Sequence, residues 1–354
     1  MTGAPPPQAW ILGANQPPER FYRGGRRIAA FRNEPVRGTH VPEDWVGSVT
    51  SLFGEEKVGL TVLAHGAAPQ SRTAVEDGMV LEAGTVLADA IRADPVGWLG
   101  VEHVAVFGAD PSLLVKLLDA GQRLPVHAHP SVPWAGEHLG LTHGKTEAWV
   151  FLKPATVWLG FTRTVAQAEV AAWVAQQDVE GMLAAMHRLE ARTGDAIFVP
   201  AGTPHAIGEG AFIVEVQEPT DLSILMEWRD FDIDGSRDGH LGLGFDVALS
   251  ALERGAMTAA EVEGLRSSTA ADAGALLPDA AEFFRVERHR SDAALDAGFS
   301  VVVVVNGHGV LTFEAGKALA VTRGSTVLVP YAAGRWTVSE AHGLELLRCR
   351  PPAC

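Results

Sequence analysis

The hydrophobic residues of this chain fall mostly into short runs that end at glycine, proline or charged residues. Apolar runs of this length, bounded by turn-forming residues, predict β-strands and a mainly β fold. The run LLVKLLDAG (113–121) is predicted to be a strand buried on both faces, although Lys116 interrupts it. Residues 147–161 predict two strands with a turn at Lys153-Pro154. Further strands are expected at 211–217, 222–228, 301–305, 309–314 and 325–330.

Two stretches have a helical pattern instead. Residues 164–190 carry an apolar stripe at helical spacing and predict a helical segment within the first β domain. A helical connector is expected over 241–280. The pattern therefore divides the chain into an N-terminal β domain at 1–240, this connector, and a C-terminal β domain at 281–354.

An internal repeat links the two β domains. The segment TGDAIFVPAGTPHAI (193–207) aligns without a gap on RGSTVLVPYAAGRWT (323–337). Gly194 then matches Gly324 and Pro200 matches Pro330, while His205 matches Arg335. The repeat predicts a second, degenerate copy of the first domain that has lost a histidine and binds no metal.

Composition narrows the class of protein. Apolar residues make up 47% of the 354 residues, which is enough for large cores. The net charge of −15 argues against a nucleic-acid or an anionic-membrane partner. No secretion signal or membrane-spanning run is visible, and Cys349 and Cys354 form no disulfide framework. These features predict a cytoplasmic protein without nucleic-acid or membrane partners.

Four side chains have the spacing of a metal site. In GQRLPVHAHP (121–130), His127 and His129 lie two residues apart, so both imidazoles leave the same face of a strand. In GDAIFVPAGTPH (194–205), a turn at 200–202 directs His205 back from the next strand. Glu147 opens an apolar run between them and offers a carboxylate oxygen. Three imidazoles and one carboxylate predict one divalent metal ion; we favour zinc, with manganese or iron as alternatives.

These motifs resemble known families. The spacing G-x5-H-x-H, a glutamate, then G-x5-P-x-G-x-x-H is similar to the two motifs of the cupin superfamily, with an insertion at 130–146. At greater length, PSLLVKLLDAGQRLPVHAHP, GKTEAWVFL and VPAGTPHAIGEGAFIVEVQEPTD resemble the type I mannose-6-phosphate isomerases, also called phosphomannose isomerases. RGG (23–25) and PEDW (42–45) resemble the N-terminal pieces of that family more weakly.

The resemblance implies a fold and a ligand set. It implies two cupin (jelly-roll) β-barrels with a helical insertion or connector, the C-terminal barrel being degenerate and metal-free. It assigns His127, His129, Glu147 and His205 as metal ligands. The family usually has glutamine at the position of His127. It also carries an arginine where this chain has Leu225, and Arg229, four residues later, is the candidate replacement.

Three further residues are candidates for catalysis. Glu215, ten residues after His205 on the adjoining strand, is the candidate base. Lys145 precedes Glu147 by two residues and is expected on the same face, where it reaches a substrate oxygen. An unpaired ammonium inside an apolar strand is costly, so Lys116 is expected to pair with Glu147 or Glu215 or to face the barrel mouth. Each also has a structural interpretation, as a solvated or supporting residue.

The sequence therefore predicts a metal-dependent aldose–ketose isomerase. Such an enzyme interconverts mannose 6-phosphate and fructose 6-phosphate, or a related sugar, by proton transfer through a cis-enediol. Another metal-dependent cupin enzyme, such as a dioxygenase, and a non-catalytic sugar-binding cupin are the alternatives. The sequence leaves open the native metal, the base, the oligomeric state and, because of Leu225, whether the substrate carries phosphate.

Overall fold

A computed structural model of the chain describes residues 7–63, 84–267, 273–290 and 293–354. The structure is mainly β, as the hydrophobic pattern predicts, and its strands form four antiparallel sheets in the described residues. Strands and helices are numbered here in chain order. Two of the sheets lie in the N-terminal part of the chain and carry the predicted metal ligands.

The first of these sheets has six strands. In spatial order they are β14 (Arg266–Ser267), β10 (Ala196–Val199), β7 (Glu147–Phe151), β12 (Phe212–Gln217), β5 (Leu114–Asp119) and β2 (Glu43–Val46). Every residue of β5, β7, β10 and β12 is buried. This burial on both faces explains why these strands appear in the sequence as continuous apolar runs rather than as alternating ones.

The second sheet has five strands. In spatial order they are β13 (Ile224–Leu225), β6 (His127–Ala128), β11 (His205–Ile207), β8 (Ala155–Phe161) and β9 (Met186–Ala191). Side chains of both sheets meet in one buried cluster, which includes Trp149, Ile213, Leu159 and Ile207. The predicted metal ligands therefore lie at an apolar interior between two sheets.

A third sheet has eight strands and contains most of the C-terminal part. Its members are β1 (Trp10–Leu12), β20 (Thr326–Val329), β18 (Ser300–Phe313), β21 (Trp336–Arg350), β16 (Arg285–Arg290), β15 (Ala273–Ala275), β17 (Ala293–Leu295) and β19 (Ala318–Thr322). Strand β1 pairs with β20, so an N-terminal segment completes this sheet. Strands β3 (Val62–Leu63) and β4 (Thr85–Val86) form the small fourth sheet.

The third sheet packs on the outer face of the six-stranded sheet. Val115 of β5 and Val214 of β12 point away from the interior and share one buried apolar cluster with Val303 of β18 and Leu347 of β21. The alternation within β5 follows from this packing. Val115 and Leu117 face the third sheet, while Lys116 and Leu118 face the interior between the first two sheets.

The helices are short and lie between the sheets' strands in the chain. They are α1 (Arg27–Arg32), α2 (Leu87–Ala93), α3 (Pro95–Leu99), α4 (Val101–Phe107), α5 (Val132–Leu139), α6 (Gln167–Gln176), α7 (Val179–Ala184), α8 (Gly235–Asp238), α9 (Phe245–Ala248) and α10 (Ala259–Gly264). Three 3₁₀ turns occupy Leu249–Ala251, Pro278–Ala280 and Tyr331–Ala333.

The helical segment predicted at 164–190 is correct for α6 and α7 but wrong at its end. Residues 186–191 form β9, which pairs with β8. In β9, Met186 and Ala191 are buried, and the residues between them alternate between half-buried and exposed. This pattern is typical of an edge strand rather than a helix. The connector at 241–280 likewise combines short helices with strands β14 and β15.

The internal repeat has a local structural counterpart. Gly194 and Gly324 both adopt left-handed backbone conformations, with φ of 90° and 91°. Each is followed, one residue later, by a four-residue buried strand, β10 or β20. Arg335, at the position that matches His205, is exposed.

Cys349 and Cys354 are free thiols, the first buried and the second exposed. Among the described residues, no helix has the length and apolar character needed to cross a membrane.

Candidate metal centre and adjoining cavity

Three histidines converge at the edge where the two N-terminal sheets meet. His127 of β6 and His205 of β11 lie directly opposite each other in the antiparallel pair. Their ring centroids are 4.1 Å apart, and each is 4.9 Å from the ring of His129. One ligand nitrogen from each residue lies within 4.8 Å of the others. The predicted convergence of His127, His129 and His205 is confirmed.

Backbone carbonyls fix the tautomer of all three rings. The Nδ1 atoms of His127, His129 and His205 lie 2.8, 2.7 and 2.8 Å from the carbonyl oxygens of Pro125, Leu222 and Thr203. A carbonyl oxygen only accepts, so each Nδ1 donates and each Nε2 keeps its lone pair. The Nε2 of His205 is buried and has no hydrogen-bond partner among the described residues.

Glu147, the predicted fourth ligand, lies against two of these nitrogens. Its Oε2 is 3.1 Å from the Nε2 of His129 and its Oε1 is 3.4 Å from the Nε2 of His205. The indole of Trp149 donates to Oε1 at 2.9 Å and orients the carboxylate. Burial disfavours its charge, but Lys145 and His129 hold the pKa of Glu147 well below its usual range.

This set of donors fits a divalent metal ion. Burial, reinforced by neighbouring rings and by Lys145, lowers the pKa of His127, of His205, and of His129 to about 3. The imidazoles are therefore neutral at physiological pH, and the carboxylate is ionised. Neutral imidazole nitrogen and carboxylate oxygen are the ligands that zinc, manganese and iron accept.

Lys145 stands directly beside these ligands. It immediately precedes β7, and its Nζ lies 2.8 Å from the Nε2 of His129 and also donates to the Oε2 of Glu147. The predicted proximity of Lys145 and Glu147 is confirmed. Both of its partners are atoms that a metal ion would also bind.

Glu215 and Lys116 face each other across adjacent strands. They are directly paired in β12 and β5, and the Nζ of Lys116 lies 3.5 Å from the Oε1 of Glu215. Lys116 is also 3.7 Å from Glu43 and from Asp221, and 4.7 Å from the centre of the Trp45 ring. Of the arrangements expected for Lys116, the structure shows the ion pair with Glu215, which explains an ammonium within an apolar strand.

Burial, together with the charge of Glu147, raises the pKa of Glu215 to about 7. The Oε1 of Glu215 lies 3.8 Å from the Nζ of Lys145. A carboxyl group that titrates near neutrality beside a metal-ligand cluster has the properties of a general acid or base.

A cavity opens beside the histidines, and we call it the site cavity. Its wall includes Arg20, Glu43, Lys116, Lys145, Glu215 and Asp221. His127 and Glu147 also border it, so two of the predicted ligands share one space with the candidate base. Leu225 pairs with His127 in β13 and β6 and places an apolar side chain in the same wall.

The expectation that Arg229 replaces an arginine at Leu225 is wrong. Arg229 is exposed, and its guanidinium donates to the backbone carbonyl of Gln176 at 3.0 Å. Strand β13 ends at Leu225, so the four-residue spacing does not keep the two residues on one strand face.

Sequence reasoning gave no role to Arg20 and Glu43, two charged residues of the cavity wall. Arg20 donates to both carboxylate oxygens of Asp221, at 3.2 and 3.1 Å, and lies 3.3 Å from Glu43. Although burial opposes it, Arg20 and Lys116 lower the pKa of Glu43 to about 2. The PEDW motif, which contains Glu43, could have indicated that residue. No motif could have indicated Arg20, because its partner Asp221 lies about 200 positions away in the chain.

The sequence is similar to those of curated mannose-6-phosphate isomerases. The chain is 29% identical over 243 residues to a putative mannose-6-phosphate isomerase, YvyI, of Bacillus subtilis, covering 65% of this chain and 73% of that protein. It is 34% identical over 151 residues to mannose-6-phosphate isomerase of Streptococcus mutans, covering 41% and 45%. No protein-family model matches the chain.

Solved structures of mannose-6-phosphate isomerases superpose on nearly the whole length of this chain. Mannose 6-phosphate isomerase of Bacillus subtilis superposes with a TM-score of 0.72 at 20% identity, covering 97% of this chain and 99% of that one. A phosphomannose isomerase of Salmonella typhimurium gives 0.68 at 14% identity, covering 98% and 99%. The chain is therefore similar in sequence to mannose-6-phosphate isomerases and shares their fold. Within the mannose-6-phosphate isomerase fold, the predicted ligand set begins with His127 rather than the expected glutamine, and the cavity has Leu225 in place of the expected arginine.

Proposed function

We propose that this protein is a metal-dependent aldose–ketose isomerase that interconverts mannose 6-phosphate and fructose 6-phosphate. The curated relatives carry the name of this activity. The observation that carries the proposal is the position of Glu215, a buried carboxyl with a pKa of about 7 between two lysines and beside the histidine cluster.

The reaction moves a proton between C1 and C2 of the open-chain sugar through a cis-enediol. In the proposal, Glu215 removes the proton from one carbon and returns it to the other, which its near-neutral pKa favours in both directions. Lys116 holds Glu215 in place across β5 and β12. Lys145, two residues from Glu147, steadies the negative charge on the substrate oxygens as the enediol forms.

We propose that His127, His129, Glu147 and His205 hold one divalent ion, with zinc as the expected metal. When bound, such an ion polarises the substrate carbonyl and fixes the neighbouring hydroxyl. The ammonium of Lys145 contacts two of these ligand groups, so it lies beside the place where they would hold the ion.

The proposed architecture is a pair of cupin barrels. The two facing N-terminal sheets form the metal-binding barrel, and the eight-stranded sheet is its degenerate, metal-free counterpart. The matched glycines at 194 and 324, each preceding a four-residue strand, support this interpretation. The loss of the ligand at Arg335 supports it as well.

The test measures the interconversion of mannose 6-phosphate and fructose 6-phosphate by the zinc-loaded protein, with and without chelator. We expect turnover that chelation abolishes and that zinc restores. Glu215→Gln should lower kcat about 10²- to 10⁴-fold, because it removes the proton acceptor. Its zinc content, measured by atomic emission, should match that of the unmodified protein.

Two outcomes would contradict the proposal. Oxygen consumption on the same sugars without isomerisation would instead favour a dioxygenase. Sugar binding without turnover under any metal would favour a non-catalytic binding protein. Equal activity of Glu215→Gln and the unmodified protein would exclude Glu215 as the base while leaving the isomerase activity in place.

A further inference from the structure

Arg20 brings a guanidinium into the site cavity from outside both N-terminal sheets. Its backbone N–H donates to the carbonyl of His40 at 2.8 Å, which fixes the segment that carries it. The side chain is 15% exposed, so the charge lies mostly within the wall rather than in solvent. Burial of a guanidinium to this degree is costly unless its donors are used.

The donors of Arg20 are incompletely used by the protein. Its two terminal nitrogens share one carboxylate, Asp221, at 3.1 and 3.2 Å. Its Nε lies 3.3 Å from the Oε1 of Glu43 and is buried, so this nitrogen is closed to a ligand. Asp221 in turn lies 3.7 Å from Lys116. Each terminal nitrogen carries two hydrogens and donates one of them to Asp221, so the planar fork can bind a second oxyanion.

The charge of the cavity wall favours an anion once the metal is present. Arg20, Lys116 and Lys145 are balanced by the carboxylates of Glu43, Glu147 and Asp221. Glu215 adds at most one negative charge, since its pKa is about 7. A divalent ion therefore leaves the loaded cavity with a positive surplus of one or two charges, which attracts a phosphate group.

Arg20 is separated from the histidines by other charged residues of the cavity wall. A continuous series of contacts leads away from the histidines: Lys145 contacts His129 and Glu147, and Glu215 lies 3.8 Å from Lys145. Lys116 then joins Glu215 to Asp221, which Arg20 binds. The reacting carbons of the sugar and its 6-phosphate are likewise at opposite ends of the molecule.

We propose that Arg20 binds the phosphate group of the substrate and supplies the guanidinium that is absent at Leu225. The assignment rests on the proposed isomerase function. Leu225 lines the cavity with an apolar side chain, and Arg229 lies on the surface. Asp221 holds the guanidinium in the ligand-free protein, and the phosphate replaces part of that contact.

The test compares Arg20→Gln, Arg20→Lys and Arg229→Gln in the zinc-loaded protein. For Arg20→Gln we expect KM for mannose 6-phosphate to rise about 10- to 100-fold, the usual effect of losing a charged hydrogen bond. Arg20→Lys should fall between it and the unmodified protein, because it keeps the charge but not the fork. Arg229→Gln is the matched surface control and should leave KM unchanged.

A second readout separates phosphate binding from folding and from turnover. Titration calorimetry with inorganic phosphate should show binding to the zinc-loaded protein that weakens about tenfold or more in Arg20→Gln. Thermal unfolding of each variant shows whether the fold is retained. If the unmodified protein binds phosphate through Arg20 but has no isomerase activity, the proposed function fails and the anion site remains.

Three results would overturn the inference. Phosphate binding that is equal in Arg20→Gln and the unmodified protein would exclude Arg20 as the ligand. A loss in Arg229→Gln alone would restore the surface arginine as the anion site. Equal losses of activity on mannose 6-phosphate and on free mannose would show that Arg20 only holds Asp221 and the surrounding wall in place.

Discussion

At the scale of single residues, the three clustered histidines differ from ordinary histidines in how readily they bind protons. Their pKa values lie below 6.5 because burial penalises the imidazolium form, and because the other rings and Lys145 add positive charge nearby. Protons therefore compete weakly for the Nε2 atoms. The ionised state of Glu147 persists into acid for a related reason, the adjacent Lys145.

We expect the zinc-loaded protein to retain its metal well below pH 6.5, where unperturbed histidines become protonated. Because the pKa values of the three histidines are lowered, the folded, metal-free site takes up protons only in stronger acid. Protons therefore displace zinc only at such a lower pH. Equilibrium dialysis across a pH series, with zinc measured by atomic emission, checks this. Half-release near pH 6.5 would show that the three rings titrate as solvated histidines do.

At the scale of elements, the sequence predicted strands where burial is uniform and failed where a short segment depends on its neighbours. LVKLLD is apolar on both faces, so β5 was visible without any knowledge of its partners. Strand β6 spans only His127–Ala128 and was found through its histidines rather than its hydrophobicity. Strand β9 follows two helices directly, and its apolar ends at 186 and 191 continue a helical stripe in the sequence.

The site residues also differ in how far the sequence could predict them. His127, His129, Glu147 and His205 were predictable because motif spacing fixes their positions on neighbouring strands. Arg20 and Asp221 meet through loops, and nothing local in the sequence indicates such a contact. The error at Arg229 has a similar cause, because counting four residues assumes a continuous strand that ends at Leu225.

The segment that carries Arg20 depends on a close backbone approach at Gly121. The Gly121 N–H donates to the carbonyl of Arg23, and a Cβ at this position would lie 2.1 Å from the carbonyl oxygen of Gly24. We expect Gly121→Ala to displace residues 23–25 and to cost about 1–3 kcal/mol of unfolding free energy, as overpacking does. Affinity for mannose 6-phosphate should fall with it, because Arg20 belongs to the same segment.

Gly136 provides the matched control for this prediction. It lies in helix α5, and a Cβ there would approach nothing closer than 3.6 Å. Gly136→Ala should be neutral or stabilising by up to about 1 kcal/mol. Chemical denaturation of both variants checks the difference. Equal stability of the two alanine variants would show that the 23–25 segment yields without cost.

At the scale of the whole molecule, the six-stranded sheet and the C-terminal sheet share one apolar core. Leu347 of β21 is 1% exposed and lies in the same buried cluster as Val115 and Val214, whose strands also carry Lys116 and Glu215. The outer face of the six-stranded sheet therefore needs the C-terminal part to shield it from water. This accounts for a third sheet that contributes no described residue to the metal centre.

We expect Leu347→Ala to lower the free energy of unfolding by about 2–5 kcal/mol, since it leaves a cavity in a closely packed core. Because the cluster joins both parts, calorimetry should show one unfolding transition at a lower Tm, and the midpoint of thermal zinc release should fall by the same amount. Val106→Ala, at a position 61% exposed, should leave both midpoints nearly unchanged. If instead a separate transition appeared at low temperature while zinc release kept its original midpoint, the C-terminal sheet would unfold on its own, and the metal centre would owe none of its stability to that shared core.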